Sequence, residues 1–201
     1  MADILPLTRI AEPPAPEAAL YRRIRFASRA LVALFTVLAG AYALLATVLI
    51  MMMFFDPVGF LRIGPSGTFL EFSGHGSADT VVIASLPLAH RLCFVPVALA
   101  RAAPSLAILL GLRALFSLYA RGVVFSPRNA LQIRLIGVWL VIDALMPYAL
   151  HVIQSSLGIE IDRAWMHMVG LQELVLGALV FVIAEVMRVG HELEQERGGF
   201  I

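Results

Sequence analysis

Between Arg29 and Asp56 the chain carries no charged residue, and this run constrains the fold more than any other feature. Coiled as an α-helix at about 1.5 Å per residue it covers roughly 40 Å, more than the ~30 Å hydrocarbon core of a bilayer. It is too long for the apolar core of a cleavable signal, and it ends in Met51-Met52-Met53-Phe54-Phe55 with no small-residue cleavage site, so it reads as an uncleaved anchor. The rest of the chain agrees with lipid as solvent. Of its 201 residues 60% are hydrophobic and 14% charged, whereas soluble domains run nearer ~45–50% and ~25%.

The expected fold class is an all-α membrane protein, a four-helix transmembrane bundle with both termini inside. Its spans are expected at about 28–55, 102–120, 131–152 and 169–189, between a 1–26 N-terminal tail and a 191–201 C-terminal tail. The first tail holds an extended Pro-rich stretch, 11–17, and then Arg22, Arg23 and Arg25 at the head-group level. After the first span, Phe60 to Ile63, the turn Gly64-Pro65-Ser66-Gly67 and Thr68 to Phe72 read as a small extracytoplasmic β-hairpin. Residues 80–101 are apolar but interrupted by Pro87, His90, Arg91, Pro96 and Arg101, so they are expected as an interfacial amphipathic helix, with Pro104 in the first turn of the second span. The tail after Gly190 should continue the last helix until Gly198-Gly199 ends it.

Orientation follows from the basic residues, all fifteen of which are arginine, a bias that suits a GC-rich bacterial genome. Ten lie on the termini and the 121–134 turn, against four (Arg62, Arg91, Arg101, Arg163) in the two other loops. The termini and the middle turn are therefore expected on the cytoplasmic side of a bacterial inner membrane. The lone Cys93 excludes an internal disulfide and any multi-cysteine metal site.

Four groups of residues stand out from the apolar background. Asp143 lies inside the third span, where a carboxylate is costly and turns toward other helices. Arg113 of the second span falls near the same depth by residue count, which makes an Asp143–Arg113 pair the expected partner scheme, with a protonated Asp143 as the other solution. A structural polar lock outweighs a proton-relay role here. Tyr148, His151, His167 and Glu173 are expected as an outer-surface polar cluster. Two histidines at matched depth raise bis-His haem ligation, but they sit at helix ends and serve better as polar anchors, so neither haem nor another cofactor is expected, although bound lipid is compatible. Gly122, Phe125, Ser126 and Asn129 form a cytoplasmic turn in which Ser126 can cap a helix starting at Pro127. Gly170, Gly177 and Ala184 repeat every seven residues as a packing stripe, as Ala39, Ala43 and Thr47 do every four. No phosphate loop, metal-ligand spacing or nucleophile elbow is present, which argues against an enzyme.

Leu112-Arg113-Ala114-Leu115-Phe116, the turn Gly122 to Asn129 and Arg134-Leu135-Ile136-Gly137 resemble the core of the bacterial membrane proteins grouped as domain-of-unknown-function family 2975. The shared signs are a Gly-x-x-Phe-Ser/Thr-x-x-Asn turn and, in the tail from Gly190 through Glu192 to Glu196, a Gly-x-x-Leu-x-x-Glu signature. The chain departs from that family at Arg197-Gly198-Gly199-Phe200-Ile201. The resemblance implies four membrane helices, no assigned activity and at most a sensing or regulatory context. Together these features predict a non-enzymatic accessory, regulatory or assembly subunit, with the bilayer and other membrane subunits or further copies of itself as partners and no nucleic acid. A proton-linked transport role for Asp143 is the alternative, and haem-based electron transfer a remote one.

Overall fold

All but the last three residues of the uncharged run lie within one long helix. In the computed structural model, which describes residues 15–64, 67–72, 80–123, 126–156 and 168–198, α1 spans Ala15–Met52, α2 Leu88–Ala120, α3 Pro127–Ser156 and α4 Met168–Gly198. Between α1 and α2 come β1 (Leu61–Gly64), β2 (Gly67–Leu70), β3 (Val81–Val82) and a short 3₁₀ turn at Ile83–Ser85. Each of the four helices is long and apolar enough to cross a membrane, over Arg22–Met52, Leu88–Ala120, Pro127–Val152 and Gly170–Gly190.

Two boundaries differ from expectation. Helix α1 starts at Ala15, so the arginines at 22, 23 and 25 stand on the helix rather than in a tail that precedes it. Pro16 is tolerated because the first turn needs no backbone N–H, and the Ala, Leu, Glu and Arg that follow are strong helix formers. The larger correction concerns 80–101. No separate interfacial helix forms there: 80–87 are strand and turn, and Leu88 to Arg101 run unbroken into α2, with Pro96 and Pro104 inside the helix. A proline removes one helical hydrogen bond, whereas a break within an apolar layer strands several backbone groups at several kcal/mol each. His90 and Arg91, which argued against a span, fall in the first turn, where Arg91 Nη1 donates to the Phe54 carbonyl beyond the end of α1 (3.5 Å).

The helices pack in chain order: α1 on α2, α2 on α3 and α3 on α4, while α1 and α4 make no comparable contact among the described residues. Neighbours run antiparallel: Thr36 meets Arg113 where Phe54, farther along, meets Arg91; Ser105 meets Asp143 where Gly111 meets Ile136; and Gly137 meets Gly177 where Ala144 meets Gly170. One core joins Leu115 of α2, Ile133 and Ile136 of α3 and Ala184 of α4. The other lies at the opposite end, where Leu61 and Ile83 close over Met53 and Phe94. There the expected hairpin is present as β1 and β2, and β3, which sequence reading did not anticipate, adds to β1 to give the antiparallel order β2-β1-β3.

Asp56 fastens this sheet to α1. Its carboxylate is 9% exposed and accepts the backbone N–H of Gly59 (2.9 Å) and of Leu61 (2.7 Å). Burial opposes the charged form, but the backbone donors from Leu61, Phe60, Gly59 and Val58 outweigh it and hold the carboxyl below its ordinary value of 3.8. Arg62 then bridges the strands, pairing with Glu71 at 3.4 Å and donating to Thr80 Oγ1 at 3.0 Å.

Candidate functional site

Polar residues of the helical layer arise at two levels, half-buried at one and exposed at the other, and each level ties one helix to its neighbour. At the level nearer the sheet, the Ser105 hydroxyl of α2 donates to the Asp143 carboxylate of α3, with oxygens at 3.2 and 3.4 Å. Glu173 of α4 lies close enough to feel the charges of Asp143 and of Arg101 on α2. Three helices therefore place two acids and one guanidinium within electrostatic reach of one another, beside the Ser105 hydroxyl. Sequence reading had separated Asp143 from Glu173 and had not singled out Ser105 or Arg101. The missing signal was pairing by depth: α2 and α3 run antiparallel, and Ser105 stands opposite Asp143 only once their register is known.

Arg113 is not part of this group, contrary to the expected pair. It lies eight residues beyond Ser105 on α2, about 12 Å along the axis at ~1.5 Å per residue. It faces α1, where its Nε donates to Thr36 Oγ1 at 3.0 Å, while the Thr36 hydroxyl proton goes to the Val32 carbonyl at 2.7 Å. A hydroxyl donates once and accepts from elsewhere, so the Thr36 hydroxyl is satisfied while the Arg113 guanidinium has an acceptor at Nε alone among the described residues.

The turn between α2 and α3 is locked. Gly122 takes φ +81°, its N–H reaches the Tyr119 carbonyl (2.9 Å) and Val123 N–H reaches Leu118 (3.1 Å), the double closure that ends a helix at a left-handed glycine. Ser126 Oγ accepts the Asn129 N–H (3.3 Å) as α3 starts at Pro127. Asn129, fully buried, donates from Nδ2 to the Val123 carbonyl at 2.8 Å and so ties the turn to the start of α3. Phe125 lies outside the described residues.

The stripe on α4 faces α3. A side chain on Gly177 would stand 3.0 Å from Val141 Cγ2 and 3.3 Å from the Gly137 carbonyl, and one on Gly170 would stand 3.3 Å from the Ala144 carbonyl. Ala184 is buried in the shared core. Tyr148 lies beside Gly170 and His151 is half-buried near the end of α3, whereas His167 lies outside the described residues. Arg188 pairs with Glu185 on its own helix and with Glu192 (3.3 Å); the side chain of Glu196 is outside the described set. Among the described residues no cluster of three His, Cys, Asp or Glu side chains has metal-binding geometry.

Three of the grooves formed by the described residues lie on the helical surface, and none of these three is lined by Asp143 or Glu173. One of about 630 Å³ lies between α3 and α4 near the turn, with Arg134, Glu185 and Arg188 over Leu131, Phe181 and Ala184. A second, about 200 Å³, runs under Leu61 between Tyr42 and Leu49 of α1, Met53 just beyond that helix, and Ala98 and Arg101 of α2. The third, about 320 Å³, lies between α1 and α2 beside Arg113. Four apolar spans with polar contacts directed between them define a multi-pass helical membrane protein. The chain matches no protein-family model, no curated protein and no solved structure.

Proposed function

We propose that the protein is a non-enzymatic subunit of a bacterial inner membrane, accessory or regulatory to a larger assembly, with both termini cytoplasmic and the small sheet outside. The observation that carries this reading is the way intramembrane polarity is used. Ser105–Asp143 and Arg113–Thr36 each join neighbouring helices, while α1 and α4, at the ends of the row, make no comparable contact with each other among the described residues and offer faces to other helices. Interhelical hydrogen bonds in lipid contribute roughly 0.6–2 kcal/mol each and orient helices rather than do chemistry. The excess of arginine at the termini and the middle turn supports the orientation. The likeness of 112–137 and of the tail to domain-of-unknown-function family 2975 fits the same reading.

Extraction of the native complex in a gentle detergent, followed by native mass spectrometry, tests it. A stoichiometric membrane partner is the expected result, and a bare monomer would overturn the reading. A second reading, proton-linked transport, draws on one feature: Glu173 stands within electrostatic reach of both Asp143 and Arg101. In proteoliposomes a pH-driven flux that Asp143→Asn abolishes would establish it, and a flux indifferent to that change would dismiss it.

A further inference from the structure

Arg113 presents a charge where an apolar layer tolerates it least. It is exposed, and among the described residues only its Nε has a partner, the Thr36 hydroxyl. Arg121 and Arg29 mark the end of the helical layer nearest to it. Arg113 lies eight residues inside Arg121, about 12 Å at ~1.5 Å per residue, close to the ~15 Å half-thickness of a hydrocarbon core. Side chains on a helix tilt toward its N-terminus, and the N-terminus of α2 is at the sheet end. The guanidinium therefore leans toward the middle of the layer, not toward the nearer head groups.

The groove of about 320 Å³ opens on that same side. Its floor is Ala39, Gly40 and Ala43 of α1, its far wall is Leu106 and Leu110 of α2, and Arg113 closes its end. A side chain added at Gly40 would meet nothing within 4 Å, so the floor lies open to an incoming surface. Shape and charge thus describe one occupant: a helix whose backbone can approach closely and which brings a carboxylate to mid-membrane. A lipid phosphate stays at the head-group level. Among the described residues a second copy brings no spare acid to this depth: Asp143 and Glu173 belong to the other level, nearer the sheet, and Glu185 is held by Arg188.

We propose that the α1/α2 groove docks a transmembrane helix of another protein, one that presents an Asp or Glu to Arg113. The inference rests on the subunit reading and specifies its contact. A charged pair removed from water in this setting selects its partner, since an uncharged helix leaves the guanidinium unmatched.

The test uses the full-length protein in phosphatidylcholine vesicles with a fluorescent Leu/Ala transmembrane peptide that carries Glu at its centre, or Gln in the control. Energy transfer should show the Glu peptide binding roughly tenfold more tightly than the Gln peptide, the ratio of dissociation constants being the quantity read. Arg113→Gln, which retains a donor for Thr36, should erase the preference. Gly40→Leu, whose side chain enters open space and leaves the fold intact, should weaken both peptides. Equal binding of the two peptides to the unmodified protein would overturn the proposal, as would a preference that survives Arg113→Gln. Loss of the preference on adding phosphatidylglycerol would assign Arg113 to lipid, and self-association blocked by Gly40→Leu would assign the groove to a second copy; either result overturns it. A stoichiometric native partner indifferent to both substitutions would remove the docking site and leave the subunit reading standing.

Discussion

Replacing Asp56 by alanine should unfasten the small sheet without dissolving the helices. The carboxylate accepts two backbone N–H groups at 2.7 and 2.9 Å, and one of them belongs to Leu61, which is 2% exposed. A hydrogen bond to a charged acceptor contributes about 1.5–3 kcal/mol, and a buried donor left unmatched costs about 1–3 kcal/mol. Allowing water to reach the Gly59 side, the local loss is about 3 kcal/mol, or on the order of a hundredfold in the opening equilibrium. Hydrogen–deuterium exchange in nanodiscs reads this directly: the amides of β1 and β3 should exchange about a hundredfold faster, and those of α3 at the wild-type rate. Asp56→Asn should fall between, because an amide offers one accepting oxygen and aims its NH₂ at the other donor. The acid response has a defined sign. The folded carboxyl titrates below its ordinary value of 3.8, so its contribution is complete above that value and fades as pH falls through the lower, folded one. Sheet protection should hold at pH 5 and be lost only in stronger acid. An alanine variant with wild-type exchange, or a wild-type sheet that opens above pH 5, would refute the reasoning.

Three shorter predictions follow from the helix contacts. Gly177→Leu should force α3 and α4 apart, because even its Cβ would lie 3.0 Å from Val141, whereas Gly190→Ala meets nothing and should raise helix stability by about 0.5–1 kcal/mol; thermal unfolding in detergent separates the two. Gly122→Ala places a side chain at φ +81° beside Arg25 and should cost about 1–2 kcal/mol, seen as a lower midpoint in the same assay. Ser105→Ala removes the donor to Asp143 and should destabilise the α2–α3 contact by about 1 kcal/mol, with Ser105→Thr restoring most of it.

The sequence by itself determined that this chain lives in a membrane. Uninterrupted apolar length is a local property, and so are the glycine, serine and proline signals that shape the turn at 122–127; the hairpin at 61–70 was legible for the same reason. Local signals misled where a neighbour supplied what the segment lacked. Pro96, His90 and Arg91 argue against a span when read alone, but a continuous α2 packs against α1 on one side and α3 on the other, and Arg91 reaches the carbonyl of Phe54. The polar partners were equally out of reach. Residue counting placed Arg113 near the depth of Asp143, yet the packed helices set it about 12 Å along the axis from the Ser105–Asp143 level and on another face. Antiparallel packing gave Asp143 to Ser105 and turned Arg113 toward Thr36. Apolar length is fixed along the chain, but which polar group meets which is fixed only when helices choose their faces, and that choice belongs to the tertiary structure.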